Sequence, residues 1–503
     1  MNERIVDYIN YHPIRTQRGL EILTGLVPWI IILFIIIGSF VFPDIVAYLI
    51  IAFNVYWLYR SITMAAYALS GYFNIRVTEK INWLEKLQHD SKTKNHWKKV
   101  FHAIILTNSG EGLETLRRTL DALVNQNFLS KNLIAVLAME DRAPEAKEKA
   151  DKLFLEYKGK FGLLVKTFHK LLPDETIGKH SNEAFAAREI KKILVDEKKM
   201  DIKNITITSS DADSVLPEQY FSLLTYKFLT KENALFKFYQ APQFPFNNLD
   251  KVPTPVRIME IISGISQIAG LRKYSRRYFV VSTYTTSLFL LDKIGYWDID
   301  AIPEDWHINL KAYFETSGKV EVEPLFLPIS IDAPESITIW KTYVNKYQQA
   351  KRQAWGVTDV PYVIKQFFLH PEIPLWQKLT KISFVLESHF VWSVNWFLIT
   401  LGANIPTFFN PAFARTTLGF NLSRTSGLIL TICLIGLVTI IFINIMLNPK
   451  SQRKITQFLH PMTYLQWLLL PVAGFFLSAL PGLESQTRLM LGKRLEYRVT
   501  EKV

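Results

Sequence analysis

The 503 residues contain a single cysteine, Cys433, so neither a disulfide framework nor a cysteine-ligated zinc site can be built. No strand-like run leads into Gly-x-x-x-x-Gly-Lys-Ser/Thr or Gly-x-Gly-x-x-Gly, which sets aside P-loop ATPases and dinucleotide enzymes. Acids are the minority charge, 45 Asp plus Glu against 58 Lys plus Arg, for a net +13. Hydrophobic residues reach 49%, too many for a disordered chain or an ordinary soluble enzyme. A nucleic-acid binder would account for the charge but not for the apolar excess, whereas a membrane protein with a cytoplasmic domain predicts both. Nucleic acid is therefore not an expected partner, and at ~150 residues per domain the length suggests two or three domains.

The apolar excess lies at the two ends. Ile22 to Phe42 holds no Asp, Glu, Lys or Arg and is long enough to cross ~30 Å of hydrocarbon. Ser39-Phe40-Val41 offers no small-x-small cleavage site, so a cleavable signal peptide is not expected. After Pro43-Asp44, Ile45 to Phe73 returns with one charge, Arg60, to complete a hairpin. Ile382 to Leu401, Thr425 to Leu447 and Met462 to Leu480 are three more candidates. Arg60 and Glu387 are expected to snorkel near span ends. Arg4, Arg15 and Arg18 precede the first span, while Arg76, Lys80 and Lys86 follow the second, which puts the N-terminus and the central region in the cytoplasm. Lys450, Arg453 and Lys454, and again Arg488, Lys493, Arg494, Arg498 and Lys502, also belong inside. Met462 to Leu480 is accordingly read as re-entrant or interfacial, consistent with Pro471 and Gly474 in mid-run. Arg76-Val77-Thr78-Glu79-Lys80 recurs as Arg498-Val499-Thr500-Glu501-Lys502, as two juxtamembrane strands or by chance.

The central region alternates. Phe101 to Leu106, Asn132 to Met139, Gly162 to Phe168 and Ile202 to Ser209 read as buried strands. Glu111 to Gln126, Glu145 to Tyr157 and Asn182 to Asp196 read as the helices between them. This predicts an α/β domain with a doubly wound, mainly parallel sheet, inserted between the two membrane clusters. Ligands of such sheets sit at the carboxyl ends of the strands.

Three local signals carry chemistry. Asp211-Ala212-Asp213 follows the fourth strand, and two carboxylates at i and i+2 there can hold a hard divalent cation against a diphosphate. The tripeptide alone would equally suit a solvated turn; its place at a strand end favours the metal. Pro303-Glu304-Asp305-Trp306 opens a helix over His307 to Thr316. Its acids fit either the helix dipole or a general base. Gln349-Ala350-Lys351-Arg352-Gln353-Ala354-Trp355 sets cations beside an indole, which suits a diphosphate and a stacked acceptor. It equally suits an amphipathic helix whose Lys351 and Arg352 reach for headgroups.

In this order the pieces resemble a membrane-embedded family-2 glycosyltransferase of GT-A fold, the group of cellulose and hyaluronan synthases and lipid glycosyltransferases. The matching residues span roughly 101 to 356. The resemblance implies nucleotide or donor contacts from Thr107, Glu111, Asp141 (with Glu140 beside it), Lys179, Asn182 and Asp211, the lysine and asparagine lying in Gly178-Lys179-His180-Ser181-Asn182. It implies Mg²⁺ or Mn²⁺ on Asp211 and Asp213, with Asp213 the main ligand. Asp305 would be the catalytic base with Glu304 beside it, and Gln349, Arg352 and Trp355 would face the diphosphate and acceptor. Two departures stand out. Gln353 occupies the motif's Trp position, which counts against processive polymer synthesis. Thr107-Asn108-Ser109-Gly110-Glu111 replaces the family's more usual Pro-x-Tyr-Asn-Glu, which loosens any inference about the nucleotide.

The expected organisation is a cytoplasmic segment and membrane hairpin (1–75), the catalytic domain (76–358), an interfacial region (359–381), membrane helices (382–483) and a basic tail (484–503). The expected activity is inverting transfer from a nucleotide-diphosphate sugar, a UDP-sugar by preference, to a lipid or glycan at the cytoplasmic face of a bacterial inner (plasma) membrane. Membrane lipids are partners, and a homo-oligomer or an export partner stays open. A processive synthase, a transporter with a regulatory domain and a catalytically silent scaffold are the alternatives. Donor choice is expected to rest around Phe279 to Thr286 or Trp306-His307.

Overall fold

A computed structural model describes residues 2–143, 145–274, 278–449 and 454–495. Five helices are long and apolar enough to cross a membrane: Pro13–Val41, Pro43–Glu79, Leu375–Thr400, Thr417–Leu447 and, as a helical stretch interrupted by tighter and wider turns, Met462–Met490. Each begins or ends beyond the apolar run that announces it, because polar residues at both margins continue the helix. The repeated Arg76–Lys80 segment is one such margin rather than a strand: Arg76 to Glu79 is the last turn of the second helix, closed by an Arg76–Glu79 ion pair at 2.8 Å. Its second copy, 498–502, lies outside the described residues, as do Lys450 and Arg453.

Between the clusters stands a seven-stranded sheet in the order β3-β2-β1-β4-β7-β5-β8. The strands are β1 (Phe101–Asn108), β2 (Leu133–Glu140), β3 (Leu163–His169), β4 (Ile205–Asp211), β5 (Lys237–Gln240), β7 (Tyr284–Ser287) and β8 (Glu321–Pro324). A second, two-stranded sheet pairs β6 (Gln243–Phe244) with β9 (Ile329–Ser330). β1 to β4 are mutually parallel, as the alternation predicts; β7 enters antiparallel between β4 and β5. Alternation along β1 sends Ile104 and Leu106 to one face, against Leu116, Leu120 and Leu123, and Ala103 and Ile105 to the other, against Ala184, Ala187 and Ile190. Fully buried leucines such as Leu120 and Leu123 contribute ~1.5–3 kcal/mol each, enough to hold a helix layer on each face.

Helix Thr254–Tyr274, formally inside the soluble domain, packs along the second apolar helix, and Gly71 is where they touch: a β-carbon there would collide with Ile268. Arg60 and Glu387, the two charges within the apolar runs, do not stand alone. They pair with each other across the second and third apolar helices, and the Tyr56 hydroxyl donates to the same carboxylate at 2.6 Å. A charge in a bilayer is costly alone, and each of these two offsets the other. Lys351 does not reach for headgroups; it is buried and lies 3.2 Å from Glu484.

The fifth helical stretch has both ends at one side. Near its start Trp467 joins the buried cluster of Tyr72 and Ile75, at the domain-facing end of the second helix. In the middle Gly474 lies against Trp396, and the Ser478 carbonyl accepts from the Trp392 indole at 3.0 Å. At its close Arg18, in the opening turns of the first helix, donates to the carbonyls of Leu489 (2.7 Å) and Met490. Since the first two helices form a hairpin, the two ends of the stretch lie on the same side.

Candidate functional site

β1 and β4 are neighbours whose connections run outward in opposite directions, so their carboxyl ends form the sheet's switch point, with Thr107 paired in register to Asp211. A narrow polar cleft opens there. Thr107, Glu111, Lys179, Asn182, Asp211, Asp213 and Arg352 all line it, so seven of the sequence-selected residues converge. Its free volume is about 80 Å³, room for a few atoms of a ligand, bounded on one side by the loop after β1. Glu111 holds that loop by accepting from the backbone N–H groups of Ser109 (3.0 Å) and Gly110 (3.2 Å) and from the Asn108 amide (3.1 Å).

Lys179, the first residue of helix Lys179–Lys191, is the hub. Its ammonium lies 2.9 Å from Asp211 Oδ1, 3.2 Å from Glu183 Oε1 and 4.0 Å from Glu304 Oε1, and donates to the Ser282 carbonyl at 3.0 Å. Burial alone would favour the neutral amine, but the three carboxylates together push its pKa well above the ordinary value. Glu183 is fully buried, which raises its own pKa against the pull of Lys179 and the Ser209 hydroxyl. This residue escaped the sequence reading, although Lys-x-x-x-Glu across one helical turn was a signal for it.

Ser282 couples the two acidic motifs. Its hydroxyl donates to Asp211 Oδ2 and its backbone N–H to Asp305 Oδ2 at 3.1 Å, from a left-handed φ of 54° that a residue with a side chain seldom adopts. Asp305 also accepts from the Trp306 N–H at 2.8 Å. Glu304 and Asp305 open helix Glu304–Glu315. Burial raises both pKa values, that of Glu304 to about 8 with Asp305 and Glu183 nearby adding to the rise. Raised carboxylates in a cleft suit a general base at neutral pH.

Two sequence-selected residues fall elsewhere. Asp141 is exposed and does not line the cleft; Glu140, nearly fully buried, lines it instead with Arg142 at 3.2 Å. The strand carries one residue further than the apolar run suggests, so Glu140 takes the inward position and Asp141 begins the turn. Trp355 turns away from both the cleft and the space beneath it and packs with Val357 and Phe279. Helix Ile339–Ala354 gives way to a tighter turn at Trp355, which rotates the indole into the core. The ring beside the carboxylates is Trp306, stacked on Phe279 at 4.4 Å. Its neighbour His307 is a structural pillar, with Nδ1 2.6 Å from Asp359 and Nε2 3.0 Å from Asp298. Burial would depress its pKa, but the two carboxylates lift it to about 9.

Beneath the cleft lies a second cavity of about 1140 Å³ that shares Lys179, Asp211 and Arg352 with it. Glu304, Asp305, Trp306, Gln349 and Gln353 line its upper part. Its lower part runs between the second, third and fourth apolar helices, along stripes such as Trp57-Arg60-Met64 and Leu430-Leu434-Leu437. Among the described residues no three His, Cys, Asp or Glu side chains converge as a metal cage. Mg²⁺ is ordinarily held by one or two carboxylates with substrate phosphates completing the shell, and Asp211 and Asp213 on one wall make a donor set of that kind. Asp213 is already oriented, accepting from the Asp332 N–H at 2.9 Å.

No family model and no curated protein sequence matches the chain. Among solved structures, the mannosyltransferase PcManGT from Pyrobaculum calidifontis in complex with GDP-Man and Mn²⁺ aligns over 80% of this chain and 100% of its own, at 10% identity and a TM-score of 0.41. Residues 1–349 of S. aureus TarS in complex with UDP-GlcNAc align over 67% of this chain and 90% of theirs, at 13% identity and 0.38. Overlaps this loose assign neither a family nor a ligand to the chain.

Proposed function

We propose that the protein is an inverting glycosyltransferase of the membrane-embedded family-2, GT-A type, moving a sugar from a nucleotide-diphosphate donor, a UDP-sugar by preference, to a lipid or glycan acceptor. The observation that carries this reading is the wall shared by the two cavities, where Lys179 touches Asp211 on the cleft side and reaches toward Glu304 on the other. A donor diphosphate on the cleft side would present its anomeric carbon to an acceptor on the cavity side.

Asp211 and Asp213 would hold Mg²⁺ or Mn²⁺, whose charge supplies Lewis acidity toward the diphosphate. Lys179 and Arg352 line the same wall and add positive charge where the leaving group gains its own. Asp305, held by two backbone N–H groups, takes the proton of the acceptor hydroxyl as that oxygen bonds to the anomeric carbon. The bond from that carbon to the diphosphate oxygen breaks on the opposite face, and its electron pair leaves with the nucleotide. Glu304, its pKa raised by burial against the pull of Lys179, can hold a proton beside Asp305 during the step. Thr107, Glu111, Glu140 and Asn182 would contact the nucleoside, with the Glu111 loop parting to admit it, since 80 Å³ is too small for a nucleotide.

The clusters of Arg and Lys beside the first two helices support a cytoplasmic domain. The test is a donor screen: purified protein, Mn²⁺, a panel of nucleotide sugars and a membrane lipid extract, with nucleotide release and product mass read together. Release of nucleotide with a matching gain of one sugar on a lipid or glycan is expected. No release from any donor overturns the reading, and a ladder of long products replaces single transfer with polymerisation.

A further inference from the structure

The lower cavity is apolar in two walls and cationic at one level. Arg60, although paired with Glu387, keeps 40% of its side chain accessible, and both residues line the cavity. Lys273, the penultimate residue of helix Thr254–Tyr274, reaches the second apolar helix at the same level: its ammonium lies 4.9 Å from the Tyr274 ring, 5.6 Å from Tyr59 and 6.0 Å from Tyr67. Among the described residues it has no carboxylate partner. Rings hold an ammonium in place without neutralising it. Two cations against the one carboxylate of Glu387 therefore leave an excess of positive charge facing a space bounded by Leu430, Leu434 and Trp396.

A second orphan lies on the same side. His389 is nearly fully buried, lines the cavity edge-on to Trp306, and its Nε2 has no hydrogen-bond partner. A buried polar atom is ordinarily completed by a protein group, water or a ligand, and this one faces the cavity. Glu387 and Phe384 are three residues apart on one helix, about 4.5 Å of rise, and Phe384 packs against Trp306 beside Asp305. His389, two residues beyond Glu387, meets the same Trp306 ring, so the cationic level lies within about one helical turn of the ring beside Asp305.

Resting on the glycosyl-transfer reading above, we infer that the acceptor is a lipid phosphate. Its phosphate sits between Arg60 and Lys273, its hydrocarbon chain lies along the Leu430-Leu434-Leu437 stripe, and its hydroxylated head passes His389 to reach Asp305. A glycerophospholipid with a hydroxylated headgroup and a prenyl phosphate that carries a sugar share this chemistry; a bare prenyl phosphate shares the phosphate and the hydrocarbon chain alone.

The test is lipid retention by native mass spectrometry on the full-length, delipidated protein. The probes are dioleoylphosphatidylglycerol, a polyprenyl phosphate and, as the phosphate-free control, dioleoylglycerol. Retention of either phosphate probe over dioleoylglycerol is expected, and the preferred probe names the source. Lys273→Ala should lower that retention about tenfold, the scale of one charge-assisted contact, and Lys273→Arg should restore it. Equal retention of dioleoylglycerol, or indifference to Lys273→Ala, overturns the inference. Binding of UDP with Mn²⁺ is measured on the same preparations. If it survives in Lys273→Ala, the variant is folded and the lost retention is local. If the wild type retains lipid phosphate but binds no UDP, the glycosyl-transfer reading fails and the site is a lipid site without that reaction.

Discussion

The cleft at the strand ends and the cavity beneath it share a wall and little else. In the cleft nearly every charge is matched: Lys179 answers three carboxylates, Arg142 answers Glu140, and backbone N–H groups hold Glu111. It is small, and its residues come from the carboxyl ends of β1, β2 and β4, the opening turn of helix Lys179–Lys191 and Arg352 of helix Ile339–Ala354. The cavity is more than ten times larger, walled by helices from both ends of the chain, and its charges are only partly matched. A matched site changes little until a strong ligand displaces its internal partners. An unmatched one is already complementary to what it lacks. This is the division expected between a donor bound through a diphosphate and an acceptor bound through a long apolar body.

The sharpest way to separate the two regions is Asp305→Asn. It should cut kcat by ~10²- to 10⁴-fold while UDP–Mn²⁺ affinity measured by calorimetry stays within twofold, since Asp305 lines the cavity and base assistance is the part proposed for it. An unchanged kcat would remove Asp305 from the chemistry. Lys179→Met attacks the shared wall instead. It strands fully buried Glu183 beside Asp211 and should cost about 3–5 kcal/mol in urea unfolding followed by tryptophan fluorescence, with part returned by Glu183→Gln in the same chain. Full stability of the single variant would mean that the wall is not held by charge.

His307 tests whether the cavity side is braced independently of the cleft. Its folded pKa of about 9 exceeds the ordinary 6.5, so the stabilisation from Asp298 and Asp359 is complete below pH 6.5 and is lost as pH rises through 9. The thermal midpoint should fall over that window, by the equivalent of ~1–3 kcal/mol, and the slope should vanish in His307→Gln. The smallest effect distinguishes two indoles. Trp306→Leu should raise the acceptor KM roughly two- to tenfold, the scale of one aromatic contact, whereas Trp355→Leu should lower stability and leave that KM alone. The reverse pattern would return Trp355 to the acceptor side.

Much of this was legible in the residues, for reasons that also explain the gaps. Long apolar strands and amphipathic helices declare themselves by period, so β1 to β4 could be read within a few residues, and their alternation with helices announced that they run parallel. The acids that close β4 and those that open helix Glu304–Glu315 were found because each motif stands at the end of an element. β5, β7 and β8 are four residues each, too short for a period to register, and so the antiparallel insertion was invisible. Arg60 and Glu387 are 327 residues apart, and no local pattern pairs such distant charges. Helix Thr254–Tyr274 carries Arg257, Glu260, Arg272 and Lys273, and these hide an apolar face that follows the second membrane helix. Trp355 was misplaced by a change of helical pitch, a matter of one turn that spacing alone does not announce.

Arg18 capping the carbonyls of Leu489 and Met490 has a consequence for how the chain is made. The two partners are 471 residues apart, and at ~5–20 residues per second the ribosome needs on the order of half a minute to a minute and a half between them. For that interval the guanidinium of Arg18 has its neighbour Glu21 at 2.9 Å but not yet the late carbonyls. The earliest helices are thus completed by the late segment 462–490, and shortening the chain before Leu489 should expose a nascent hairpin to quality-control proteolysis even though every residue of the cleft has been synthesised.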